Sequence, residues 1–417
     1  MLSALSKVWK NKIFAVIILL IIITLPTTIY RQSDKDYTIV ASSIGIEKKG
    51  DQYDVTILAV IPKGENDINS NLEIFNAEGD TISSALDKIT LDIGRKIGLA
   101  HCDCIIFTEE LMENNLTQIL DYFIRTANLS TNPTLIATPD SAKDLLTAVK
   151  TSNNLLDLSL KNIINSQEDR TLLHNVTIDR FYRAYYSPNS TFTIPILSVK
   201  DESSQGGSGS SSSNTPQGDA QEGSGSSSGG GEEKKKISNE GEVAVLRDGK
   251  FLTTLTEEEK FIYNLVTNPG EYQKFVLDNI NDEHFINSTV VFQEADKIIF
   301  PLCKYEDGNP VMEYNIWLSL MIDEVSSEDN HSYASTSGTQ NLLTDTVKEE
   351  ILKLVNERLA KTNTLMQEKH YDILNLYEKF DAFTYRKFHK YISSLEDSTE
   401  YMSGISIKIN LNLNYVI

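Results

Sequence analysis

From Ser203 to Gly231 the chain reads SSQGGSGSSSSNTPQGDAQEGSGSSSGGG, a stretch with almost nothing apolar to bury. Ordering a residue costs on the order of 1–2 kcal/mol of backbone entropy, and only buried apolar surface offsets a loss of that size. The stretch is therefore expected to be disordered, a flexible coil whose ends average roughly 30 Å apart. Every packed element must come from the segments on either side of it. Composition leaves two arrangements open, a linker between domains or a long loop thrown out from one domain.

A second constraint lies at the other extreme of polarity. Ile13–Ile29 is an apolar run behind Lys7, Lys10 and Lys12. As a helix it spans roughly 26 Å, near the short end of a hydrocarbon core of about 30 Å. Trp9 and Tyr30 stand where interfacial aromatics belong, and the lysines favour a cytoplasmic N-terminus. The run is long for a signal-peptide core, and Leu25-Pro26-Thr27-Thr28-Ile29-Tyr30-Arg31 offers no small-x-small cleavage site. Residues 1–12 are read as a cytoplasmic tail, residues 13–30 as a retained transmembrane anchor, and the bulk of the chain as extracytoplasmic.

Charge and cysteine content narrow the class. The net charge of −21 disfavours nucleic acid and broad contact with an anionic membrane surface. Three cysteines among 417 residues are too few for a disulfide-built scaffold, so ordinary packing must supply the core.

Periodicity then predicts a mixed α/β, multidomain ectodomain. Tyr37–Ile46 and Tyr53–Val60 read as strands turning at Lys48-Lys49-Gly50-Asp51. Ile82, Leu86, Ile89 and Ile93 recur at helical spacing between Thr81 and Gly94. Cys104–Phe107 reads as a short strand, Leu116–Arg125 as a helix and Thr134–Ala137 as a strand, and Ser141 is placed to cap the next helix. After the Ser/Gly-rich stretch, Glu242–Thr254 reads as a hairpin turning at Arg247-Asp248-Gly249-Lys250. Thr256 and Glu259 have capping-box spacing. Ser288–Phe300 and Tyr314–Val325 read as long strands, and Leu342–Met366 as a helix whose stripe from Leu343 to Leu359 packs on its own sheet or, as the alternative, binds a partner helix. A second helix is predicted from about His370 to Phe380. Gly404–Asn414 alternates strictly, which predicts a strand with one buried and one wet face.

The chemistry-bearing residues are sparse. In His101-Cys102-Asp103-Cys104, a strand would put both thiols on one face and His101 and Asp103 on the other, which splits any metal set. Two small core thiols are the simpler reading, and Cys303 is expected to be a third. The sequence has no Gly-rich phosphate loop, no H-E-x-x-H and, outside the Ser/Gly-rich stretch, no G-x-S-x-G. A non-enzymatic protein without cofactor or metal is expected, and no catalytic, cofactor-binding or metal-binding residue is nominated.

Several segments, in order, resemble the C subunits of GerA-type spore germinant receptors, the Ger(x)C family. They are Gly79–Leu86, Gly94–His101, Cys104–Leu111 and Gly241–Lys250, together with Ile119–Arg125, which is similar to that family's "ILDFLLRD". Gln367–Phe380, holding Tyr371-Asp372-Ile373-Leu374, resembles the family's "DIL" segment. Two departures stand out. No lipobox cysteine comes after the N-terminal apolar run, where members typically carry one, and Tyr385–Lys390 lacks a common tryptophan. The resemblance implies mixed α/β germinant-receptor domains at 31–199 and 237–417, with 200–236 between them as linker or loop. It implies a receptor C subunit in the spore inner membrane beside A and B subunits, working by protein–protein contact in spore germination. An extracytoplasmic small-ligand-binding protein is the alternative, and a thiol or metal hydrolase using His101, Cys102 and Cys104 a third class.

If the apolar run is a retained anchor, N-terminal sequencing of the membrane-extracted protein will read from the first residues. A mature chain starting near Gln32 would mean that the run is cleaved.

Overall fold

The computed structural model describes residues 38–61, 71–114, 116–125, 129, 133–152, 160–168, 176–201, 235–238, 240–267, 273–282, 284–327 and 342–416. The apolar run 13–29 and the Ser/Gly-rich stretch 203–231 lie outside these residues. Among the described residues no helix is long and apolar enough to cross a membrane.

The first sheet is built on the predicted hairpin. β1 (Thr38–Lys49) and β2 (Gln52–Ile61) pair antiparallel, with Lys49 opposite Gln52 across the turn. β3 (Asn71–Gly79) adds at the outer side of β2. It escapes sequence reading because it is an edge strand with Leu72 and Ile74 only partly buried, so its alternation is weak. Helix α1 (Ile82–Ile93) starts on a reciprocal cap: Thr81 Oγ1 accepts from Ser84 N–H, and Ser84 Oγ accepts from Thr81 N–H. After β4 (Lys96–Gly98), β5 (Cys104–Thr108) enters parallel to β1. The short α2 (Glu109–Met112) and α3 (Leu116–Arg125) lead on to β6 (Thr134–Thr138), parallel to β5. The order is β3-β2-β1-β5-β6, with β4 beside β1.

Helices cover both faces. Ile82, Leu86 and Ile89 of α1 and Leu116, Leu120 and Phe123 of α3 pack with Ile44, Ile105 and Phe107 on one side. Leu145, Leu146 and Val149 of α4 (Ala142–Ser152) pack with Leu58, Ile106 and Ile136 on the other. A methyl group at Gly45 would lie 2.8 Å from Ala142 Cβ, so β1 needs glycine where α4 crosses it. Ser141, expected as the cap of α4, donates instead to Glu47 Oε1 at 2.6 Å, and the same oxygen accepts Lys143 N–H at 3.0 Å. The first turn is thus held by a carboxylate from β1.

α5 (Leu160–Glu168) and α6 (Ile178–Tyr185) lead to β7 (Thr191–Pro195) and β8 (Ser198–Asp201). Here the chain crosses its Ser/Gly-rich stretch. β9 (Lys235–Ser238) pairs antiparallel with β8, Asp201 opposite Lys235. β10 (Val243–Arg247) pairs with β7 and, through the predicted hairpin, with β11 (Lys250–Leu255). The strands on either side of the stretch are therefore direct neighbours.

The last sheet runs β12 (Lys274–Ile280), β13 (Ser288–Glu306), β14 (Asn309–Ser327) and β15 (Ser406–Tyr415), in that order. β13 and β14 form one long hairpin about Asp307-Gly308, both with positive φ. α7 (Glu257–Thr267) begins on the predicted capping box, with Glu259 Oε2 accepting Thr256 N–H at 2.9 Å. Val347, Ile351, Val355 and Leu359 of α8 (Asp345–Lys369) share one core with Phe292, Tyr314 and Ile316, and the helix lies along β15 and β12 of its own sheet, as the stripe predicts. The predicted second helix is displaced. His370 and Asn375 both take left-handed backbone, so Tyr371–Asn375 is a turn, and α9 runs Leu376–Ile392. A short 3₁₀ helix, Ser398–Gly404, precedes β15, which lies parallel to β14.

Gly45→Ala is expected to destabilise the fold by about 1–3 kcal/mol, read as a lower melting temperature. Adding Ala142→Gly removes the opposing methyl and should recover part of the loss. Equal melting temperatures for the wild type and Gly45→Ala would show that the contact is slack.

Candidate functional site: a buried carboxylate joint

The His101–Cys104 cluster resolves into packing. Cys102 precedes β5 rather than lying in it, with its N–H bonded to Leu99 O at 3.0 Å. It enters the core beneath α1 and α3, whereas Cys104 enters the core on the α4 side. The expectation that both thiols share a face therefore fails, because strand alternation starts only at Cys104. Both are free and buried, and burial pushes the Cys102 thiol up to about 12 and Cys104 upward as well. Such thiols are not nucleophiles at neutral pH. Cys303, partly buried, points its sulfur at Lys379 O. Among the described residues no group of His, Cys, Asp and Glu could hold a metal ion.

A dense group of buried polar contacts lies where the turn Tyr371–Asn375 meets the loop between α6 and β7. Asp372 is fully buried. Its carboxylate accepts Leu376 N–H and Tyr377 N–H, each at 2.9 Å, and the Tyr401 hydroxyl at 3.0 Å. Two otherwise orphaned donors at the start of α9 are met by one negative group, which the helix dipole also favours. The backbone of the turn is gripped from the other side. Asn189, also buried, donates from Nδ2 to Asp372 O at 3.0 Å and to Asn375 Oδ1 at 2.9 Å. Asp372 N–H reaches Thr191 Oγ1 at 3.4 Å, and Ser187 Oγ donates to Glu378 Oε1 at 2.6 Å. Arg247 of β10 donates to His370 O at 2.7 Å and to Thr399 O at 3.0 Å. Below the turn, Lys379 Nζ donates to Tyr314 OH and Leu374 O and lies 5.3 Å from the Tyr314 ring centroid.

Burial dominates the electrostatics. It pushes Asp372 up to about 6 against the pull of its two backbone donors, and it lowers Lys379 below its ordinary value. The arrangement holds no nucleophile paired with a base. What it does is fix the segment 187–191 against 370–401 through directional bonds, with one group able to take up a proton. Sequence reading missed this joint, since it placed Asp372 inside a helix. The available signal was an Asp with an Asn three residues later, ahead of an apolar helical run.

Two family models cover the chain in order. The spore germination protein N-terminal domain matches residues 34–199, and the spore germination B3/GerAC-like C-terminal domain matches residues 241–415. The chain belongs to the Ger(x)C family. Spore germination protein KC of Bacillus subtilis (strain 168) is 27% identical over 139 residues, which is 30% of this chain and 33% of that protein. The matched stretch thus spans about a third of that relative. A crystal structure of the GerBC protein aligns over 90% of this chain and 97% of its own, at 14% identity and a TM-score of 0.49. Within the two matched regions, Asn189 and Thr191 fall in the first, and Arg247, Asp372 and Tyr401 in the second. The joint therefore ties one Ger(x)C region to the other.

With Asp372 raised above its ordinary value of 3.8, the folded chain keeps a proton between about pH 4 and 6 that the unfolded chain has released. Stability from this group is therefore fully present below about pH 4 and is lost as pH rises to about 6. The span corresponds to on the order of 3 kcal/mol. Melting of the wild type and Asp372→Asn across pH 4–8 should show their difference shrinking through that window and flat above it. A pH-independent difference would contradict a buried, protonatable carboxylate. Asn189→Ala should cost about 1–3 kcal/mol, because it leaves buried partners unpaired.

Proposed function

We propose that this chain is the C subunit of a nutrient germinant receptor in spore germination, acting without catalysis through contacts with the receptor's A and B subunits. The observation that carries this is the order of the two matched Ger(x)C regions, which together account for residues 34–199 and 241–415. The organisation that goes with it is a cytoplasmic tail at 1–12, a membrane anchor at 13–30, receptor domains at 31–199 and 237–417, and a Ser/Gly-rich connection at 200–236. The location that goes with it is the outer face of the spore inner membrane.

The joint around Asp372 gives this role a physical basis. A subunit that works by contact must present its surfaces in a fixed relation. Directional bonds to buried groups hold such a relation more tightly than apolar packing, which tolerates sliding.

Deleting the gene should leave spores viable but unresponsive to one set of nutrients, followed as loss of refractility after nutrient addition. Normal germination with every nutrient, in a strain lacking paralogues, would overturn the assignment.

A further inference from the structure

β15 is an outer strand of its sheet, and parity identifies the backbone groups on its free side. Val416 N–H donates to Leu320 O at 2.9 Å, so even-numbered residues direct their backbone groups at β14 and odd-numbered residues direct theirs away. The first odd positions are already covered. Asn363 of α8 accepts Ile407 N–H and donates to Ile407 O, both at 3.2 Å, and Gln367 donates to Ile405 O at 2.8 Å. Two side chains thus stand in for a neighbouring strand. Beyond them, Ile409, Leu411, Leu413 and Tyr415 present N–H and C=O to the outside, and among the described residues no strand pairs with that side.

Exposed edges are ordinarily guarded by charge, proline or a bulge. The opposite edge of the same sheet has such guards: β12 carries Lys274 and Asp278 and an irregular register between Leu277 and Ile280. From Ile409 to Tyr415 there is no charge and no proline, and the register with β14 is unbroken.

We propose that this edge pairs with the same edge of a second copy of the chain, antiparallel about a two-fold axis at Asn412. In that register Ile409 faces Tyr415 and Leu411 faces Leu413, so every free N–H and C=O meets a partner. On the wet face, Asn412 lies against Asn412, and Asn410 against Asn414. Each amide both donates and accepts, so this row complements itself. On the other face, Ile409, Leu411, Leu413 and Tyr415 are only partly buried, and a second copy extends the core over them. Charge selects the place as well. Two chains of net charge −21 repel over most of their surfaces, and this edge is an uncharged strip where they can approach. The result is one continuous sheet with four strands from each copy.

The test uses the full chain in detergent micelles with single cysteines on the wet face and oxidised glutathione as the thiol oxidant. Asn412→Cys should form an interchain disulfide. Asn410→Cys alone should not, but should crosslink when mixed with Asn414→Cys. The unmodified chain sets the background, with Cys102 and Cys104 buried. Leu413→Pro removes an edge N–H without touching a bond to β14, and should weaken dimerisation in sedimentation by at least about tenfold. If that variant does not fold, Asn412→Lys opposes two like charges at the axis and should have the same effect. An unmodified chain that sediments as a monomer at tens of micromolar would overturn the proposal. So would Asn410→Cys crosslinking as readily as Asn412→Cys.

Discussion

The constraint on which the architecture turns is a single carboxylate out of reach of water. Asp372 must keep its three donors, because a buried charge without partners would cost several kcal/mol. Those donors come from the start of α9 and from the 3₁₀ helix ahead of β15. Satisfying one group therefore positions both elements beside the β12–β15 sheet. Asn189 and Thr191 then bind the backbone of the same residue, which extends the constraint to the α6–β7 loop.

Strand pairing reinforces this connection. β10 lies against β7 and β9 against β8, so the segments before and after residues 202–234 share two small sheets rather than meeting only through side chains. Phe192 and Ile194 enter the same core as Ala244 and Leu246. The two matched family regions are thus distinct in sequence but joined by backbone hydrogen bonds, and the carboxylate joint sits beside that seam.

Much of the local structure was legible because short-range physics decides it. The β1–β2 turn, the cap at Thr256, the hairpin at Arg247–Lys250 and the stripe of α8 all rest on residues within a few positions of one another. Failures came where distant partners intervene. Ser141 suggested its own cap, but Glu47, from a strand far earlier in the chain, holds that helix. Apolar spacing suggested helix from His370, yet the left-handed backbone at His370 and Asn375 frees Asp372 to turn inward. Cys102 and Cys104 seemed to share a face, but only one of them lies in the strand.

By itself the sequence determined the fold class, the family and the absence of a disulfide scaffold, because composition, periodicity and motif order do not depend on how distant segments meet. It also determined that the final strand alternates. Only the tertiary structure decided that this strand runs parallel to β14 at an outer edge, and that Asp372 is a buried joint rather than a residue inside a helix. It likewise decided that the strands flanking the Ser/Gly-rich stretch are neighbours. Each of these is a pairing across long sequence separation, settled by which buried groups must find partners once the core has closed.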